Sequence, residues 1–166
     1  MLALGLAARY LLERAALSRA LLLSLPKVDL LLLVFTAFDL RAGAPATFAH
    51  GLATAYIGFT VAFGSIMVAW ADARFAHRFA GGPAPDRAPK LGWRAVRYEL
   101  LLWVRCLVAW AIALALLVGL IAYVNDQQRT QALLAWFRYA FFSTALWFVF
   151  GPVWVLVFFR RANPAA

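Results

Sequence analysis

Apolar residues run through this chain in long unbroken blocks, separated by short polar connections. A bilayer core of ~30 Å is crossed by about 20 apolar residues in a helix, and three blocks exceed that. Residues 47–71 hold His50 as their one potentially charged side chain, residues 100–124 hold Arg105, and residues 132–159 hold Arg138. A fourth block is less regular, because its purely apolar part, Leu30 to Phe38, is bounded by Asp29 and Asp39. Extended back through Pro26, it makes a span over 20–42 with Lys27 and Asp29 inside; proline is tolerated there because neighbouring groups satisfy the freed carbonyl. Alternatively Pro26 opens the helix and residues 1–25 lie separately in the interface.

The pattern therefore predicts an all-α fold. It is a polytopic membrane protein: a four-helix transmembrane bundle preceded by a short amphipathic or partly inserted N-terminal helix. Residues 1–166 form one integral membrane domain with spans near 20–42, 47–71, 100–124 and 132–159. The segment 72–98 is the one sizeable polar connection, and Gly81-Gly82-Pro83-Ala84-Pro85 with Pro89 make its middle a loop. Gly151-Pro152 is expected to bend the last span. Trp93, Trp103, Trp136, Trp147 and Trp154, with Tyr98 and Tyr139, fall towards span ends, as interfacial belts do.

Charge placement tests the span count. Of the 16 basic residues, 12 lie in the N-terminal segment (Arg9, Arg14, Arg19, Lys27), in 72–98 (Arg74, Arg78, Arg87, Lys90, Arg94, Arg97) and in the tail (Arg160, Arg161). Basic residues favour cytoplasmic segments, which puts both termini and the 72–98 loop in the cytoplasm and requires an even number of crossings. The richness in Ala, Leu and Arg suggests a bacterial chain from a GC-rich genome, and the expected location is the bacterial inner membrane. With 66% hydrophobic and 14% charged residues, the chain lies far from the roughly 45–50% and 25% of soluble domains, which excludes a disordered chain or a soluble enzyme core. The net charge of +9 fits attraction to anionic lipids, and no nucleic-acid partner is expected.

Little supports covalent or redox chemistry. The lone Cys106 allows no internal disulfide, and His50 and His77 fall at opposite ends of a span, too far apart to share a haem or metal. Neither a phosphate loop nor a hydrolase signature is present, so no catalytic residue, metal or cofactor is expected.

Two constellations remain. Ionisable residues at membrane depth are costly and mark candidate sites; here they are Asp29, Asp39, Arg105, Arg138 and His50. Matching depths pairs Asp29 with Arg105, and Asp39 with Arg138. The second constellation is a small-residue stripe, Gly51, Ala55, Gly58, Ala62, Ser65 and Ala69, spaced alternately by four and three, which lets another backbone approach closely, either inside this chain's own bundle or from a second copy or another protein. The reading that follows is a small non-enzymatic membrane protein. It works by helix association as an accessory, assembly or sensing subunit, with the stripe and the basic loop as contact surfaces. Its expected partners are membrane lipids and either further copies of itself or another membrane protein. An oligomeric transporter or channel using the intramembrane charges is the alternative.

Overall fold

The computed structural model describes residues 15–86, 88–89 and 92–159, and the regular elements among them are all helical, with no strand. The elements are α1 (Ala15–Arg41), α2 (Phe48–Phe79), α3 (Gly92–Val124) and α4 (Gln127–Thr130). A 3-10 turn (Gln131–Leu134), α5 (Ala135–Phe148), a π turn (Val149–Val153) and α6 (Trp154–Phe159) then continue α4 into one composite rod. Phe48–Phe79, Gly92–Val124 and Gln127–Phe158 are each long and apolar enough to cross a membrane, with mean hydropathy of 1.8, 2.6 and 1.9.

Helix α1 adds 27 residues, about 40 Å at 1.5 Å per residue. Its backbone is unbroken at position 26, so the alternative in which a helix opens at Pro26 is not the one adopted. The start of the expected N-terminal amphipathic helix, residues 1–14, lies outside the described residues.

Both α2 and α3 outrun their apolar blocks by about two turns, so much of 72–98 is helical extension around a short loop. Local signals set the ends. Thr47 and His50 form a reciprocal cap at the start of α2. At its far end the Ala80 and Gly82 N–H groups both donate to the Ala76 carbonyl, with Gly81 at a φ of +63° that suits glycine.

Successive helices run antiparallel, so the 42–47 and 125–127 connections share one end of the bundle. The α2–α3 seam is built from small residues. Ala55 and Ala62 on α2 are buried, as are Ala109 and Ala113 on α3, and a side chain at Gly58 would run into the Ala109 carbonyl. Beside this seam runs a column of aromatic rings. Phe63 stacks on Phe59 at 5.8 Å, Phe59 meets Trp110 edge-on at 5.4 Å, Trp110 contacts Trp136 at 6.3 Å, and Trp136 stacks on Phe48 at 4.8 Å. Trp136 is thus a core residue and not part of an interfacial belt. Gly51 makes the difference, because any side chain there would occupy the space filled by the Trp136 indole. At Gly151-Pro152 the rod passes through the π turn, where both residues are buried.

Candidate functional site: the intramembrane charges and the polar end cap

The five ionisable candidates are brought together differently from the depth pairing. Asp29 accepts a hydrogen bond from the Thr60 hydroxyl on α2 at 2.7 Å. Arg105 donates through Nη1 to the Ala62 carbonyl at 3.0 Å. The Asp29–Arg105 pair is therefore not formed: both residues meet α2 within two residues of each other along the chain, but each uses a polar group of α2 itself. The Asp39–Arg138 pair is also absent. Asp39 instead binds His50 Nε2 at 3.0 Å, and no group among the described residues pairs with Arg138.

The geometry around His50 fixes its tautomer. The Thr47 backbone N–H donates to Nδ1 at 2.9 Å, and the Thr47 hydroxyl lies 3.0 Å from the same nitrogen. With Nδ1 accepting, Nε2 carries the proton and donates to Asp39. One imidazole thereby caps α2 and ties it to α1. Its side chain is 14% exposed, against 59% for Asp39.

The small-residue stripe divides. Gly51, Ala55, Gly58 and Ala62 are buried, whereas Ser65 and Ala69 are exposed. Gly51 packs against Trp136 and Gly58 against Ala109 and Ala113 of α3, with Ala55 and Ala62 buried alongside, so these four serve packing inside the bundle rather than a surface for another molecule. Only the Ser65–Ala69 end reaches the exterior.

A feature the sequence reading missed is the cap joining the two connections at the His50 end. Arg129 Nε donates to Asp126 Oδ2 at 2.7 Å, its Nη1 donates to the Leu40 carbonyl at 3.1 Å, and its own carbonyl accepts from the Ala46 N–H at 2.9 Å. Asp126 in turn caps α4 by accepting from the Arg129 N–H at 3.1 Å. That backbone bond, followed by the guanidinium, holds the Asp126 carboxyl below its ordinary value. Nearby, the Arg41 guanidinium sits 4.6 Å from the Tyr123 ring centroid. The available signal was Asn125-Asp126 followed three residues on by Arg129, a turn with a helix cap, although its reach back to residue 40 is purely tertiary.

Deep in the bundle polar material is sparse. Thr54 donates to its own helix at the Gly51 carbonyl, 2.8 Å away, and Cys106 is buried and free. Among the described residues no group of three metal-binding side chains occurs, and the intramembrane charges form separate local bonds rather than one connected path.

No protein-family model matches the chain, and no solved structure matches it significantly. It is 38% identical over 130 residues to the uncharacterized membrane protein YmcC of Bacillus subtilis (strain 168), an alignment that covers 78% of this chain and 70% of that protein.

Proposed function

The chain belongs to the family of that Bacillus subtilis membrane protein, and from this premise we propose that it acts by association within the membrane, as an accessory, assembly or sensing subunit. In this reading it lies in a bacterial inner membrane, crosses four times with α1 as the first span, and keeps both termini and the basic 72–98 segment cytoplasmic. The basic bias of those segments supports the orientation, and the 27-residue length of α1 supports the fourth crossing.

One observation carries the associative role. Arg105 lies in the most apolar of the three spans yet is exposed on the outside of the bundle, and among the described residues only the Ala62 carbonyl accepts from it. A guanidinium offers five N–H donors. At membrane depth the remaining ones are costly to leave against lipid tails, and a polar group on another transmembrane helix would satisfy them. The bond of Asp29 to Thr60 is separate from the Asp39–His50 pair, which favours association over transport, since it leaves no linked series of groups through a single chain.

The mass and composition of the particle after gentle extraction into nanodiscs tests this. A complex larger than the 18.4 kDa chain, reduced to the single chain by Arg105→Gln, is the expected result. A lone chain in both samples would overturn the reading. A closed ring of identical chains carrying a solute flux would put transport in its place.

A further inference from the structure

At the end of the bundle that carries Arg129, an open groove of about 660 Å³ runs between the 45–46 turn and the start of the composite rod. Arg129, Arg138, Gln128 and Gln131 line it together with the apolar Leu134 and Ala135. We propose that this groove binds a phosphate-bearing anion, with the headgroup of an anionic phospholipid as its source.

The argument starts from charge. Arg129 is already balanced by Asp126 and anchored on the Leu40 carbonyl, so its position is fixed while its charge is largely spent. Arg138 is exposed and has no partner among the described residues. The groove therefore keeps one uncompensated guanidinium, at a level where the chain passes from polar connection to apolar span. Such a cation is stabilised by an anion, and a guanidinium matches phosphate oxygens two at a time. Gln128 and Gln131, both exposed beside it, supply neutral amide donors.

The lipid source follows from what lies below Arg138. Leu134, Arg138 and Phe141 follow at helical spacing on the rod, and Leu134 and Phe141 are both exposed. Ala145 and Phe148, also exposed, extend the same face. A phosphate seated on Arg138 would lay its acyl chains along this apolar track, whereas a free phosphate would leave the track unused. Arg41 and Asp39 belong to the same end of the bundle but have their own partners, Tyr123 and His50.

Native mass spectrometry of the purified protein, supplied with either dioleoyl phosphatidylglycerol or dioleoyl phosphatidylcholine, reads the site directly. The wild type is expected to retain one more phosphatidylglycerol than phosphatidylcholine. Arg138→Gln should lose that extra molecule, and Arg94→Gln, at the opposite end, should keep it. Arg138→Lys keeps the charge without the paired geometry and should hold the lipid several-fold more weakly, while helical circular dichroism reports whether each variant is folded. Equal retention of the two lipids by wild type, or undiminished phosphatidylglycerol on folded Arg138→Gln, would overturn the proposal. Displacement of the lipid by millimolar inorganic phosphate, with equal stabilisation by phosphate alone, would overturn the lipid as source and leave a free-phosphate site.

Discussion

Gly58 offers the sharpest test of how the bundle is held together. Replacing it with alanine has two opposed effects of calculable sign. In the middle of a helix alanine is favoured over glycine by about 1 kcal/mol. Against that, the new Cβ would overlap the Ala109 carbonyl oxygen and stand 3.1 Å from both the Ala109 carbonyl carbon and the Ala113 Cβ. The oxygen belongs to the backbone of α3 and cannot rotate aside, so α2 and α3 must separate. A gap of roughly 0.5–1 Å forfeits a quarter to a half of each dispersion contact along the seam, and overpacking of this kind costs about 1–3 kcal/mol. A backbone obstacle belongs at the upper end of that range, which leaves Gly58→Ala less stable by about 1–2 kcal/mol net. Gly119, on α3, meets nothing within 4 Å of an added Cβ, so Gly119→Ala keeps only the propensity gain and should be more stable by up to about 1 kcal/mol. Titration from mild detergent into dodecyl sulfate, followed by helical circular dichroism, measures both. The packing argument fails if Gly58→Ala matches wild type, or if the two variants shift in the same direction.

Three further outcomes follow from the polar bonds. Thr60→Val removes the hydroxyl that serves Asp29 and should cost about 1–3 kcal/mol in the same titration, with Thr60→Ser close to wild type; equal midpoints for valine and wild type would contradict it. Arg129→Gln withdraws the donor from the Leu40 carbonyl at the end of α1, beside a fully buried side chain. It should also cost about 1–3 kcal/mol, and limited proteolysis at the 42–47 turn should accelerate. The pH dependence of stability has its sign from Asp126, whose carboxyl is held below its ordinary value in the folded chain. Its stabilising effect is complete above that ordinary value, near pH 4, and is lost as pH falls through the folded value. Asp126→Asn should therefore show a smaller fall in stability on the acid side than wild type, and identical acid limbs would rule the linkage out.

The long apolar blocks were legible because crossing a bilayer demands length, and length is written directly in the sequence. The Gly81–Pro85 run and Pro89 made the extensions legible too, since they confine the loop to the middle of 72–98 and let α2 and α3 continue past their apolar blocks. The charge pairs show a limit. Counting residues from a span boundary gives depth along the helix, but not the direction a side chain takes around it. Asp29 and Arg105 meet α2 at neighbouring positions, Thr60 and Ala62, yet do not meet each other. What decided their partners was the nearer hydroxyl on one side and the nearer carbonyl on the other. Trp136 likewise sits where a belt residue could sit, and only the slot opposite Gly51 turns it inward.

The manner in which α1 is attached bears most on function. Over residues 27–41 only Thr36 and Leu40 are buried, while Leu30, Leu31, Leu32, Val34, Phe35 and Phe38 all remain exposed. Besides Leu40 in the core and Ala37 against it, polar bonds attach it: Asp29 to Thr60, Asp39 to His50, and the Leu40 carbonyl to Arg129. Within a membrane, apolar faces gain nothing from leaving lipid for one another, so interhelical packing and hydrogen bonds decide association. Each such bond contributes about 0.6–2 kcal/mol there, which makes the hold on α1 a matter of a few kcal/mol. The α2–α3 seam, closed by Gly58 and four buried alanines, depends instead on close backbone approach. It follows that α1 is the helix whose packing a partner could most readily replace. A disulfide or crosslink trapped between α1 of one chain and a neighbouring polypeptide, with the α2–α3 seam intact, would add α1 to the associative surface proposed at Arg105.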